Sequence, residues 1–160
     1  MNWLSRLKRR ATSAAVDREH DSFVRGEWHE YFGRLTAQEL QAASVRLCRK
    51  VLATVPIAGE EVERAMEALS SNYVSPELVS ATRSIVERIE SEYDALVGDD
   101  VDKLSCTDPR VDEAFVRARA ATTLLNALEG NHKGMAYEAW FVLDDLDEVR
   151  SLVGLPACDR

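Results

Sequence analysis

Glycine and proline are scarce in this 160-residue chain, which contains seven and four of them respectively. A β-sandwich or β-barrel needs many turns that carry these residues, so the scarcity argues against an all-β fold. A disordered chain is also excluded, because 46% of the residues are hydrophobic. The length is typical of one domain, and a domain of this size needs no metal or disulfide to be stable.

Cysteine is rare as well, with three residues at irregular spacing and no C-x-x-C pair. An odd, irregular set excludes a disulfide framework and a zinc finger. Cys48 lies in a helical apolar stripe and is predicted to be a small core residue. Cys106 and Cys158 fall in loop and tail positions, where they are either exposed thiols or near each other in space.

Long apolar runs are missing, so no segment is predicted to span a bilayer. The basic start of the chain resembles the beginning of a signal peptide, but the apolar region that should follow gives way to the charged residues 17–21. A cytoplasmic protein is therefore expected. Residues 1–16 predict a basic amphipathic helix, which either packs on the acidic body or lies on an anionic membrane surface.

Motifs of catalysis and ligand binding are absent from the sequence, including the nucleophile elbow, the dinucleotide-binding glycines and the P-loop. His29 has no second histidine four residues away, and His132 is predicted to cap or to be solvated in a turn. Asp99, Asp100 and Asp102 lack the glycine and glutamate of a calcium loop. We therefore expect no enzymatic activity, no cofactor and no bound metal.

Apolar residues recur at helical spacing along nearly the whole chain. Thr36 and Glu39 form a predicted capping box, and Pro76 occupies a predicted first helical position. The pattern predicts an all-α fold, a bundle of about six helices in a single domain of residues 1–160, with a short tail at 155–160.

An alanine-rich helix from Ala114 to Ala127 is predicted to lie at the centre of this bundle, because small side chains let neighbouring helices approach closely. Leu125→Asp is accordingly expected to unfold the protein. The last predicted helix runs from near Asn131 to Gly154.

The strongest local feature is a run of acidic residues next to aromatic ones near the end of the chain. It could be a solvated surface, a cap for a new helix begun by Asp145 or Asp147, a Mg²⁺ or Ca²⁺ site, or a docking surface for lysine and arginine side chains. The candidate partner-binding residues are Asp144, Asp145, Asp147 and Glu148, with Trp140 and Tyr137 as possible anchors.

The formal net charge of −8 disfavours binding to nucleic acid and favours a basic protein partner. The sequence therefore predicts a small helical interaction protein that binds and inhibits a basic protein, in the general manner of toxin-neutralising immunity proteins and antitoxins. This prediction concerns a class of proteins and no particular family.

Three alternatives stay open at this point. A helical enzyme or ligand-binding bundle could assemble a site from scattered residues such as His29, Glu30, Tyr31 and Asp144. A peripheral membrane or scaffold protein could use the basic N-terminal helix. An amphipathic face could also form a homodimer.

Overall fold

The computed structural model of the protein describes residues 26–97 and 109–156. These residues form seven α-helices, in the regions where apolar residues recur at helical spacing. No strand occurs in these two ranges, so the predicted all-α fold is confirmed. The helices are α1 (Glu27–Arg34), α2 (Ala37–Thr54), α3 (Glu60–Ser71), α4 (Pro76–Val97), α5 (Pro109–Leu128), α6 (His132–Leu143) and α7 (Leu146–Val153).

The helix ends follow the capping residues in the sequence. The Thr36 side chain accepts a hydrogen bond from the backbone N–H of Glu39, whose carboxylate accepts one from the Thr36 N–H, so the predicted capping box is confirmed. Gly154 closes α7 in the left-handed region, with φ 87°, where a residue without Cβ is favoured. Capping residues in the sequence therefore indicate where α2 begins and where α7 ends.

One predicted helix is divided in two. The segment from Asn131 to Gly154 was expected to be continuous, but Asp144 adopts a left-handed conformation with φ 58° and ends α6. Asp145 then begins α7 as its N-cap. This division turns one predicted helix into two, and the described residues contain seven helices, whereas about six were predicted for the whole chain.

Helix α5 lies at the centre of the bundle, as its alanine content predicts. It packs most extensively against α4 and α6, and it also contacts α2 and α3. Ala118, Ala120 and Ala121 are buried on α5, and Ala136 and Ala139 are buried on α6. Their small side chains leave room for close helix packing. All seven helices contribute side chains to one core, as expected for a single domain.

Cys48 is buried in this core, as predicted from its position in an apolar stripe. Burial raises the pKa of its thiol to about 12, so the thiol remains protonated at neutral pH.

At the end of the described chain, Leu155 also packs into the core. The predicted tail therefore begins with a residue that contributes to packing.

Arg150 on α7 is a buried charge that the sequence did not suggest, since its side chain is only 4% exposed. Its Nε donates to the carbonyl oxygen of Pro156 at 2.7 Å, and its Nη2 donates to Oε1 of Glu27 at 2.9 Å. The guanidinium also lies 5.9 Å from the ring centroid of Trp28. This arginine thus connects α1, α7 and the residues after α7.

Several sequence predictions concern residues outside the described ranges. They are the basic helix at residues 1–16, the acidic residues Asp99, Asp100 and Asp102, and the thiols of Cys106 and Cys158.

Candidate functional site

The predicted acidic residues lie together at the junction of α6 and α7, but they do not form one helical face. Asp144 ends α6, and Asp145 accepts a hydrogen bond at 3.0 Å from the backbone N–H of Glu148. Asp145 therefore caps α7, which is one of the alternatives that the sequence left open. Glu148 forms an ion pair with Lys50 of α2 at 2.8 Å. At least these two carboxylates have structural roles within the bundle.

The predicted aromatic anchors differ in exposure. Trp140 is 2% exposed and packs against Phe141, with ring centroids 5.5 Å apart. Its indole therefore lies in the core and is not available as a surface anchor in this conformation. Tyr137 is half-buried, and burial raises the pKa of its hydroxyl. Of the two, only Tyr137 reaches the surface.

The cap made by Asp145 can be tested separately from its charge. Asp145→Ala is expected to lower the free energy of unfolding by about 1 kcal/mol, because the α7 amide loses its acceptor. Asp145→Asn retains a capping oxygen and should cost only a few tenths of a kcal/mol. Urea denaturation of both variants measures this difference. Equal destabilisation by alanine and asparagine would show that the charge of Asp145 matters more than its cap.

The sequence analysis left open an enzyme site made of scattered residues. Several of these residues instead make structural contacts within the bundle. Glu30 pairs with Arg34 one turn away at 3.5 Å, and the Tyr31 hydroxyl donates to the carbonyl oxygen of Val153 at 2.9 Å. His29 is exposed on α1. The Tyr31 contact connects α1 to α7, whereas the Glu30–Arg34 pair lies within α1, and neither is evidence for a shared catalytic centre.

A serine–histidine contact occurs at the other end of α6, where the sequence predicted a capping or solvated histidine. The capping role belongs to Asn131 and not to His132, which is half-buried at the first position of α6. Nδ1 of His132 lies 3.4 Å from Oγ of Ser44. The Ser44 hydroxyl is buried and donates to the carbonyl oxygen of Leu40 at 2.9 Å, so it is not arranged as an activated nucleophile.

A charged cluster joins the central helices. Arg119 of α5 forms ion pairs with Glu90 of α4 at 3.3 Å and with Glu138 of α6 at 3.1 Å. Burial raises the pKa of the Glu138 carboxyl, and the Arg119 charge opposes that rise. The guanidinium also lies 5.3 Å from the ring centroid of Phe115. Because Arg119 pairs with a carboxylate on each of two neighbouring helices, we interpret the cluster as a connection between three helices.

A second acidic surface, which the sequence analysis did not single out, lies on α3. Glu60, Glu63 and Glu67 follow each other at intervals of three and four residues, so they lie along one side of the helix. All three are exposed, and none forms an ion pair with another described residue. We call these three residues the α3 acidic stripe.

An exposed tyrosine follows this stripe in the turn between α3 and α4. Tyr73 is 77% exposed, the most exposed large hydrophobic side chain in the described residues. Asn72 begins the turn in the left-handed region with φ 56°. A shallow cleft of about 260 Å³ lies beside Tyr73 and is also lined by Glu67 and Leu78. An exposed aromatic ring, a cleft and a carboxylate of the stripe are therefore adjacent.

Another carboxylate lies on the far side of the same turn. Glu77 occupies the first turn of α4, and hydrogen bonds from its own backbone N–H and from Ser75 lower the pKa of its carboxyl. Glu77 therefore carries its negative charge at neutral pH. In the sequence, this surface is marked only by the glutamates spaced along α3 and by the serines around Tyr73. The same pattern is typical of an ordinary solvated helix and turn, so it did not indicate a binding site.

No helix in the described ranges is long and apolar enough to cross a membrane. Within the same ranges, no group of three or more histidine, cysteine, aspartate or glutamate residues is placed to hold a metal ion. No known family model matches the chain, and neither a curated protein nor a solved structure is found to be similar to it.

Proposed function

We propose that this protein binds and inhibits a basic protein partner in the cytoplasm through the surface formed by the α3 acidic stripe and Tyr73. The observation that supports this proposal is the set of three exposed carboxylates, which form no ion pair with another described residue, beside a 77% exposed tyrosine. This proposal keeps the predicted class of partner and moves the contact surface from the α6–α7 junction to α3.

Electrostatics supports a basic partner. The chain has a net charge of −8, so a positively charged protein is attracted over long range before contact. Exposed carboxylates at the rim of a protein–protein interface mainly increase the association rate and fix the orientation of the partner, and they add less to the affinity. We therefore expect the association rate to fall as ionic strength rises.

Tyr73 would supply the apolar part of the contact. Tyrosine is enriched among residues that dominate binding energy, because its ring buries a large area and its hydroxyl forms hydrogen bonds. The cleft beside Tyr73 offers a concave surface for one partner side chain. Arg64 also lines this cleft, and an arginine is a second residue type common in such contacts.

Three forms of the protein, immobilised as baits in lysate of the source cell, test this proposal. The first is the wild type, the second carries Glu63→Lys and Glu67→Lys on α3, and the third carries Glu87→Lys and Asp94→Lys on α4. Glu87 and Asp94 are also exposed and also lack ion pairs in the described residues. Each substitution adds two positive charges, so both double variants change the net charge from −8 to −4.

The expected result is a basic protein retained by the wild type and by the α4 variant, and lost from the α3 variant. Loss from both variants would attribute binding to net charge alone and contradict the assignment to α3. Retention by all three forms would place the interface elsewhere, and an empty wild-type lane at low salt would contradict the proposed partner. Inhibition is then measured on whatever activity the retained protein has.

A homodimer through the same surface is disfavoured, because a two-fold contact would bring two acidic stripes together. The alternative of a ligand-binding bundle is supported by one specific observation, a cavity at another surface that is lined by Leu40, Leu128 and His132.

A further inference from the structure

A cavity of about 250 Å³ lies where α2, the α3–α4 turn, the end of α5 and the start of α6 meet. Its walls are mainly apolar. Leu40, Leu69, Val74 and Leu128 are the larger apolar residues that line it. A volume of this size accommodates a small molecule, below the range of drug-sized ligands.

Two of the polar groups at the cavity are already occupied by the protein. The Gln41 side-chain amide donates to the carbonyl oxygens of Leu69 and Ser70 at 3.0 and 2.9 Å. The Ser44 hydroxyl has a single proton, and its contact with the carbonyl oxygen of Leu40 at 2.9 Å is much shorter than its 3.4 Å contact with His132. We therefore assign that proton to the bond with Leu40.

This assignment determines the hydrogen-bonding capacity of the histidine. Because the Ser44 oxygen can only accept from His132, Nδ1 carries the imidazole proton, and Nε2 is left as an acceptor. Among the described residues no group donates to Nε2. Burial also lowers the pKa of His132, so the ring is neutral at pH 7. The histidine that lines the cavity thus offers one lone pair.

The charge of a suitable ligand follows from the remaining lining residues. No lysine, arginine, aspartate or glutamate lines the cavity, so neither an anion nor a cation would be compensated there. Asn72, the other polar residue, is exposed and remains hydrated. We propose that this cavity binds a small neutral molecule with an apolar body and one hydroxyl group, which donates a hydrogen bond to Nε2 of His132. This site is separate from the proposed docking surface and does not depend on it.

Phenol and toluene are a matched pair of probes, because they have nearly the same shape and only phenol has a hydroxyl group. Binding to the full chain is measured by NMR from the methyl resonances of Leu40, Leu69, Val74 and Leu128. We expect phenol to shift these resonances and to bind about fivefold more tightly than toluene, the difference that one neutral hydrogen bond of about 1 kcal/mol supplies. His132→Phe keeps an aromatic ring but removes the acceptor, and it should abolish the preference for phenol.

Equal affinities of phenol and toluene for the wild type would overturn the proposal, and so would shifts confined to other parts of the protein. A preference for phenol that survives in His132→Phe would show that another group accepts the hydrogen bond. If that variant does not fold, Ser44→Ala is the second test. Ser44→Ala removes the contact that fixes the tautomer and should reduce the preference, whereas an unchanged preference would contradict the assigned tautomer.

Discussion

Leu124→Asp is expected to leave the protein unfolded at 25 °C. Leu124 is 2% exposed and lies on α5, which packs extensively against α4 and α6 and also contacts α2 and α3. The substitution removes about 1.5–3 kcal/mol of apolar burial. It also places a carboxylate where no water solvates it, which costs several kcal/mol more. Domains are stable by only about 5–15 kcal/mol, so the sum is sufficient to unfold many of them.

Circular dichroism and thermal melting measure this effect, with Leu96→Asp as a matched control. Leu96 is an exposed leucine on α4, and its replacement should change stability by no more than about 1 kcal/mol. Leu125→Asp should be less severe than Leu124→Asp, because Leu125 is 9% exposed and an aspartate there is closer to water. A cooperative melt of Leu124→Asp near the wild-type temperature would contradict the central position of α5.

Arg150→Ala is expected to lower the free energy of unfolding by about 3 kcal/mol. The alanine cannot replace the hydrogen bonds to the Pro156 carbonyl and the Glu27 carboxylate, and the carbonyl would lose a charged donor. It also removes the guanidinium that packs near Trp28. Because the interactions of Arg150 join α1 to the end of the described chain, hydrogen exchange in both segments should increase together.

Urea denaturation measures this loss, and Arg34→Ala is the control. Arg34 is an exposed arginine whose ion pair with Glu30 is solvated, so its removal should change stability by less than about 0.5 kcal/mol. Arg150→Lys retains the charge but not the planar fork and should recover only part of the stability. Similar effects of Arg150→Ala and Arg34→Ala would show that burial of Arg150 contributes little.

The helices could be predicted from sequence because their signals are local. The apolar spacing and the cap at Thr36 depend on residues within one or two turns of each other. The apolar spacing alone did not predict the division of the last helix, although Asp145 as the cap of a new helix was one of the alternatives that the sequence left open. Leu143, Leu146 and Val149 retain helical spacing across the turn at Asp144, so the apolar pattern is the same for one helix or two.

The candidate site was harder to locate because exposure depends on the tertiary fold. Trp140 and Tyr73 are both aromatic residues at helix or turn positions, yet the first is buried and the second is exposed. Acidic residues present the same difficulty. Glu148 meets Lys50 from a distant helix, whereas Glu63 meets no cation in the described chain. Lys50 and Glu148 are 98 positions apart, so the residues near either one in the sequence do not indicate that the two form an ion pair.

The most direct test of the proposed function is the affinity of the purified partner for the wild type and for the two charge-reversed double variants. We predict that Glu63→Lys with Glu67→Lys weakens binding about 100-fold, and that Glu87→Lys with Asp94→Lys weakens it less than about fivefold at the same net charge. Equal losses in the two variants, or an unchanged affinity of the α3 variant, would contradict the assignment of the docking surface to α3.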